Sequence, residues 1–250
     1  MFFFNRNRFG FKDIGLKSDI HCHILPAVDD GSRSTGASIA ILKDLSALGV
    51  ERFVLTPHVS EGVYPNTSTA LKCSFDAFDK AVRQEMGDAV QLHLAAEYMI
   101  DDAFEDRKDL LLYPDGSVLV EMSYHARSAN LQETVFNLVQ DGFNPILAHP
   151  ERYEFYFSDS GKVRSLREIE KLVAMGCRLQ LNVQSLTGCY GRGSLDNLCY
   201  MLDHNLYSFI ATDIHSQRQA ARFENFRISP ARFEKVRALA HSNERLFKNI

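Results

Sequence analysis

Residues 17 to 24 read Lys-Ser-Asp-Ile-His-Cys-His-Ile, a short β-rich run that closes on two histidines. Side chains alternate along a strand, so His21 and His23 project to one face and Cys22 to the other. Two imidazoles can then share a metal while the thiol stays out, although a His-x-His pair taken alone is more often incidental. The same kind of ending recurs outward along the chain. Strand-like runs are expected at Lys17 to Ile24, Arg52 to Val59, Val90 to Met99, Ser117 to Tyr124, Asn144 to Pro150, Arg178 to Leu186 and Ser208 to His215. Helical spacing lies between them. The clearest instance is Ile41, Leu42, Leu45 and Leu48 on one face, with Ser34 and Thr35 suited to its start and Gly49 to its end.

Alternating strands and helices imply parallel strands with right-handed crossovers, hence an α/β fold that is either an open doubly wound sheet or a closed barrel. The polar residues favour the barrel. Strand-like runs from the whole chain end in His, Asp or Glu, and a barrel gathers all strand C-termini at one mouth, whereas an open sheet offers mainly its switch-point crevice.

The chain has 250 residues, 45% of them hydrophobic and 24% charged, which suits one soluble domain spanning 1–250. Residues 1–12 read as a short tail, because Met1 to Phe4 is apolar but is broken at once by Asn5, Arg6, Asn7 and Arg8. That run is too short for a signal-peptide core or a membrane span. A net charge of -4 gives no general attraction to nucleic acid. The five cysteines, Cys22, Cys73, Cys177, Cys189 and Cys199, lack zinc-knuckle spacing and read as free thiols in a cytoplasmic protein.

The chemistry-bearing residues follow the strand ends. Asp29-Asp30-Gly31-Ser32 can turn tightly and aim a carboxylate, taken as Asp30, back at the mouth. Thr56-Pro57-His58 ends the second run, Ala96-Glu97-Tyr98 the third, and Glu121 sits inside Leu119-Val120-Glu121-Met122, where an acid is costly to bury unless paired or metal-bound. Ala148-His149-Pro150-Glu151-Arg152-Tyr153 ends the fifth run, and Thr212-Asp213-Ile214-His215 repeats the alternation of His21 and His23 in the seventh. The candidate ligands His21, His23, Asp30, His58, Glu97, Glu121, His149, Asp213 and His215 are too many for one metal at about four to six ligands each. Two or three divalent ions are expected. Imidazole and carboxylate without thiolate suit manganese, iron or zinc. Clustered metals activate water and clamp the oxygens of an in-line displacement, and phosphoester hydrolysis most needs that help. Arg152 could hold the phosphate through two guanidinium bonds.

These motifs, in this order over nearly the whole chain, resemble the bacterial protein-tyrosine phosphatases of capsule and exopolysaccharide operons, members of the PHP (polymerase and histidinol phosphatase) superfamily. The resemblance implies a distorted seven-stranded (β/α)7 barrel, a trinuclear site usually associated with manganese, and dephosphorylation of the tyrosine-rich tail of a bacterial tyrosine kinase. It makes His21 and His23 ligands of one metal, places Asp30 and His58 at outer positions, and makes Glu121 a bridging carboxylate beside Glu97. His149, Asp213 and His215 complete the set, and Arg152 matches the phosphate-contacting arginine. Where members can carry basic residues after the second-strand histidine, Val59, Ser60 and Glu61 stand here.

Three alternatives bound this reading. A cysteine-nucleophile phosphatase needs an arginine six positions after the cysteine, and here those positions hold Val28, Asp79, Val183, Leu195 and Asn205. A PHP phosphatase for a small ester such as histidinol phosphate shares the metal set, and so does an inactive metal-binding partner of a kinase. Oligomeric state has no signature in the sequence.

Overall fold

A computed structural model describes residues 8–156 and 166–247 as a mixed α/β protein with parallel strands. The strands are β1 (Ser18–Cys22), β2 (Arg52–Leu55), β3 (His58–Val59), β4 (Gln91–Leu94), β5 (Glu97–Met99), β6 (Ser117–Glu121), β7 (Asn144–Ala148), β8 (Arg178–Asn182) and β9 (Phe209–Ala211). They form a three-stranded sheet in the order β1-β2-β4 and a six-stranded sheet in the order β3-β5-β6-β7-β8-β9. The helices are α1 (Phe11–Ile14), α2 (Thr35–Ala47), α3 (Ser68–Met86), α4 (Leu131–Gln140), α5 (Arg167–Ala174), α6 (Arg192–Asp203), α7 (Gln217–Ala220) and α8 (Pro230–Ser242).

Each expected strand-like run holds a strand, but two are broken in the middle. The run 52–59 splits at Thr56-Pro57 and the run 90–99 at Ala95-Ala96, and this pinch divides one sheet from the other. Pro57 has no N–H to donate to a ladder. Across the pinch the chains stay in register, with Thr56 N–H donating to the Cys22 carbonyl at 3.0 Å, Ala95 N–H to Leu55 at 2.9 Å and Glu97 N–H to Pro57 at 3.1 Å. At the far side Asp213 N–H donates to the His21 carbonyl at 2.9 Å and His23 N–H to Ile214 at 2.8 Å. The buried Asp19 carboxylate accepts from both the N–H and the hydroxyl of Thr212. β1 is thereby tied to the segment that follows β9.

The β7 residues from Pro145 to Ala148 are buried on both faces, which explains their unbroken apolar run. One large apolar cluster joins the strands to the helices, and a smaller one takes Ile20 and Val54 from one sheet and Leu119, Ile146 and Phe209 from the other. Helix α2 starts as expected, the Ser34 hydroxyl accepting from Ala37 N–H, and Gly49 follows its end with φ of +105°.

Residues 8–12 do not behave as the expected tail. Phe9 pairs with Ile228 through two backbone bonds and stacks on Phe233, and Phe11 is buried. Aromatic side chains of this size gain too much by burial to stay in water. The run Met1 to Phe4 lies outside the described residues.

Candidate metal centre

The strand ends deliver the nine expected side chains to one place. His21 and His23, on the same face of the first run, are fully buried, and their Nε2 atoms are 3.0 Å apart. Cys22 turns the other way and its thiol donates to the Val54 carbonyl. The rings are held from behind. Gln180 donates its amide to the Leu181 carbonyl, so its Oε1 faces His21 Nδ1 at 2.9 Å. Asp29 takes His23 Nδ1–H at 2.9 Å, and the Asp213 carbonyl takes His215 Nδ1–H at 2.9 Å. With Nδ1 carrying the proton, each Nε2 presents a lone pair inward. Two lone pairs facing each other at 3.0 Å repel unless a cation sits between them.

Glu97, at the head of β5, lies at the middle. Its Oε2 is 3.2 Å from both His21 Nε2 and His23 Nε2 and 3.1 Å from His58 Nδ1, while Oε1 is 3.1 Å from His149 Nε2. Glu121 reaches His58 Nδ1 at 3.0 Å and none of the other histidines. Glu97 thus meets more of the histidines than Glu121 does; parallel pairing sets it opposite His58 of β3 and next to β6, which carries Glu121. Asp30 Oδ1 stands 3.5 Å from His58 Nε2 and 3.7 Å from His215 Nε2 at the more open edge.

Burial opposes charge on Glu97, yet His21 and His58 hold its pKa well below the carboxylate range. Burial likewise disfavours charge on His58, as does His23, but Glu97 and Glu121 lift it to about 10. His215 goes the other way, pushed down to about 4 by burial and by His23. The pocket is thus built around positive charge. Four groups of donors lie close enough to hold an ion: His23, Asp30, His58 and His215; His21, Glu97 and His149; His21, His23 and Asp213; and His58, Glu97 and Glu121. Glu97 Oε2 and His149 Nδ1 are buried without a hydrogen-bond partner among the described residues. Such an orphaned oxygen amid converging lone pairs fits a cation.

His149 and Asp213 have φ of 33° and 50°, left-handed values that are uncommon outside glycine. These turns end β7 and β9 short of the expected runs and swing both side chains inward. Such strain is tolerated where surrounding contacts enforce it. Glu151 supplies some of them, accepting from Asn182 N–H at 2.9 Å and from the Tyr207 hydroxyl at 2.9 Å. Arg152 donates to Asp213 Oδ2 at 2.5 Å and lies between two rings, 4.4 Å from Tyr124 and 4.1 Å from Tyr190. The arginine thus has a carboxylate partner of its own as well as an open side. It borders a cleft of about 450 Å³ lined also by Asp30, His58, Glu121 and His215 and by Tyr64, Met99 and Tyr124, the Tyr64 ring stacking on His58.

Asp29, Gln180, Asn182 and Tyr190 were not among the expected site residues. The sixth run ends in no histidine or acid, but β8 supplies the layer behind the ligands: Gln180 for His21, and Asn182, whose amide donates to Asp213 Oδ2 at 2.8 Å. Gly31 is required for a different reason. The loop after β1 folds back so that Ser32 N–H meets the His23 carbonyl, and a Cβ at position 31 would stand 2.0 Å from that oxygen. Gly31→Ala should therefore lower stability by roughly 3 kcal/mol or more, at or beyond the upper end of ordinary overpacking. Thermal denaturation with metal present should register a drop of about 6–12 °C; an unchanged midpoint would mean the loop relaxes freely.

Comparison with known proteins places this arrangement. The family described as capsular polysaccharide synthesis, CpsB/CapC, matches residues 17–231. The tyrosine-protein phosphatase YwqE of Bacillus subtilis is 29% identical over 208 residues, covering 79% of this chain and 77% of that protein. The tyrosine-protein phosphatase CpsB of Streptococcus pneumoniae is 27% identical over 206 residues, covering 79% and 82%. A crystal structure described as YwqE and CpsB, unique metal-dependent tyrosine phosphatases, matches with a TM-score of 0.75 at 26% identity, covering 93% of this chain and 94% of that one.

Proposed function

Because the chain belongs to the CpsB/CapC family of capsular polysaccharide synthesis, we propose that it is a metal-dependent protein-tyrosine phosphatase. Its substrate is phosphotyrosine on a capsule or exopolysaccharide operon protein, a bacterial tyrosine kinase. The observation that carries this reading is the convergence of imidazole nitrogens on Glu97 beside a cleft whose lining includes both Arg152 and aromatic side chains.

His21, His23, Asp30, His58, Glu97, Glu121, His149, Asp213 and His215 would hold two or three divalent ions, manganese fitting best and iron or zinc also suiting the donors. Bound there, such ions supply Lewis acidity to phosphoryl oxygens and lower the pKa of water. The chain's own residues do the rest. Arg152 stays charged, since Asp213 raises its pKa although burial opposes its charge. Tyr124 and Tyr190 hold its plane, leaving nitrogens free for a phosphoryl group. Tyr64 and Met99 offer a surface for a phenyl ring. Asp29, Gln180 and Asn182 keep the ligands from rotating.

We infer further that residues 17–215 close into one distorted seven-stranded barrel within a single domain. The bonds across the two pinched runs and between β1 and the segment after β9 support this. Five free cysteines fit a cytoplasmic setting, and no described helix is long and apolar enough to cross a membrane.

Chelation followed by gel filtration should abolish hydrolysis of a phosphotyrosine peptide, and manganese should restore it. Full turnover by protein shown to be metal-free would overturn the reading. Faster turnover of histidinol phosphate than of the peptide would move the substrate to a small ester, and metal-loaded protein that cleaves neither would leave a binding role.

A further inference from the structure

A second cationic cavity lies outside the constellation around Glu97. It measures about 370 Å³ and is lined by Arg8, Arg227 and Arg232 together with Leu186, Thr187 and Ser229. None of the three arginines pairs with a carboxylate among the described residues, and Arg227 is steadied instead by the carbonyls of Glu224 and Phe226. The walls are fixed. Phe9 and Ile228 exchange backbone bonds at 2.9 and 2.8 Å, and Phe9 stacks on Phe233, which brings Arg8 beside Ser229. Arg232 stands in the first turn of α8, at the positive end of the helix dipole. Three like charges around one cavity repel each other, weakly where Arg8 and Arg227 meet water, and a bound anion relieves that repulsion.

We propose that this cavity binds a phosphomonoester dianion, distinct from the one hydrolysed. Guanidinium forks and hydroxyl donors match phosphate oxygens, and the modest apolar contribution of Leu186 suits a phosphorylated side chain. Position argues for a role toward substrate. Thr187 lies in the segment that follows β8, whose Gln180 and Asn182 stand behind the metal centre. Thr187 is also three residues from Tyr190, whose ring covers Arg152, and three residues span at most about 11 Å. One wall of the cavity is thus tied closely along the chain to the ring that covers Arg152, and a peptide carrying two phosphates is the ligand that would use both places. The source is then either a second phosphorylated residue of the substrate or free phosphate, and the two are separable. The substrate role rests on the phosphatase reading; the binding of phosphate does not.

The test compares wild type with Arg227→Gln/Arg232→Gln, both metal-loaded, by titration with inorganic phosphate and by kinetics on matched peptides bearing one or two phosphotyrosines. The variant should lose one phosphate equivalent and keep its turnover of p-nitrophenyl phosphate within about twofold. Wild type should favour the doubly phosphorylated peptide by about tenfold or more in KM, the scale of one or two charge-assisted bonds, and the variant should lose that preference. Loss of the phosphate equivalent without any peptide preference assigns the site to free phosphate. Identical phosphate titrations of the two folded proteins overturn the proposal. Absence of hydrolysis with the phosphate difference intact would instead count against the phosphatase reading alone.

Discussion

Replacing Glu97 with glutamine should lower kcat/KM on an aryl phosphate by roughly a thousandfold or more and strip bound metal from the purified protein. Losing a residue that merely orients a ligand typically lowers metal affinity or activity about 10–100-fold, and a shared ligand should matter more. Glutamine keeps the shape of the side chain but loses the charge. It would also turn an N–H toward lone pairs that now converge on the carboxylate, since Oε2 meets three imidazoles and Oε1 a fourth. Glu121→Gln should be milder, about tenfold to a hundredfold, because Glu121 meets His58 alone among the histidines. Metal analysis beside steady-state kinetics on both variants checks the ranking. Were Glu121→Gln the more damaging, Glu121 rather than Glu97 would be the bridging carboxylate.

Arg152→Ala should lower kcat/KM by about a hundredfold, the range for a lost transition-state donor. Metal content should hold, because Asp213 loses one partner but keeps the Asn182 amide at 2.8 Å. Lysine at 152 should recover only part of the loss, since an ammonium can neither lie flat between Tyr124 and Tyr190 nor present a fork. Wild type should also hydrolyse phosphotyrosine peptides faster than phosphoserine peptides, as phenol with a pKa of about 10 is the better leaving group. Rates on matched peptides decide the matter. An Arg152→Ala enzyme of normal efficiency, or equal rates on both peptides, would show that the phosphate lies elsewhere.

The strand alternation and the convergence of the nine side chains were legible because they rest on local rules. The alternation of His21, Cys22 and His23 needs only the period of a strand, and Glu121 stands out against its apolar neighbours. The hub position of Glu97 was not legible, since it depends on which strands pair and in what register. Gln180 looked like an ordinary polar residue within a strand; only the approach of His21 from 159 residues away gives it a task. Tyr190 acquires its role in the same way. The left-handed turns at His149 and Asp213 are enforced by tertiary contacts against local preference, so no reading of neighbouring residues would find them. Residues 8–12 were misjudged because a short aromatic segment beside a basic one reveals nothing of the pocket that awaits it.

The tie between Asp19 and Thr212 joins residues 193 positions apart. During synthesis at about 5–20 residues per second, the first strand must wait roughly 10–40 s for that partner. Until then one flank of β1 is an open edge, and the seat that Asp213 and His215 complete stays unfinished. Unpaired edges invite association with other chains. The nascent protein is therefore most exposed to aggregation while its catalytic apparatus is still incomplete, and a chain ending before position 212 would keep that exposure for good.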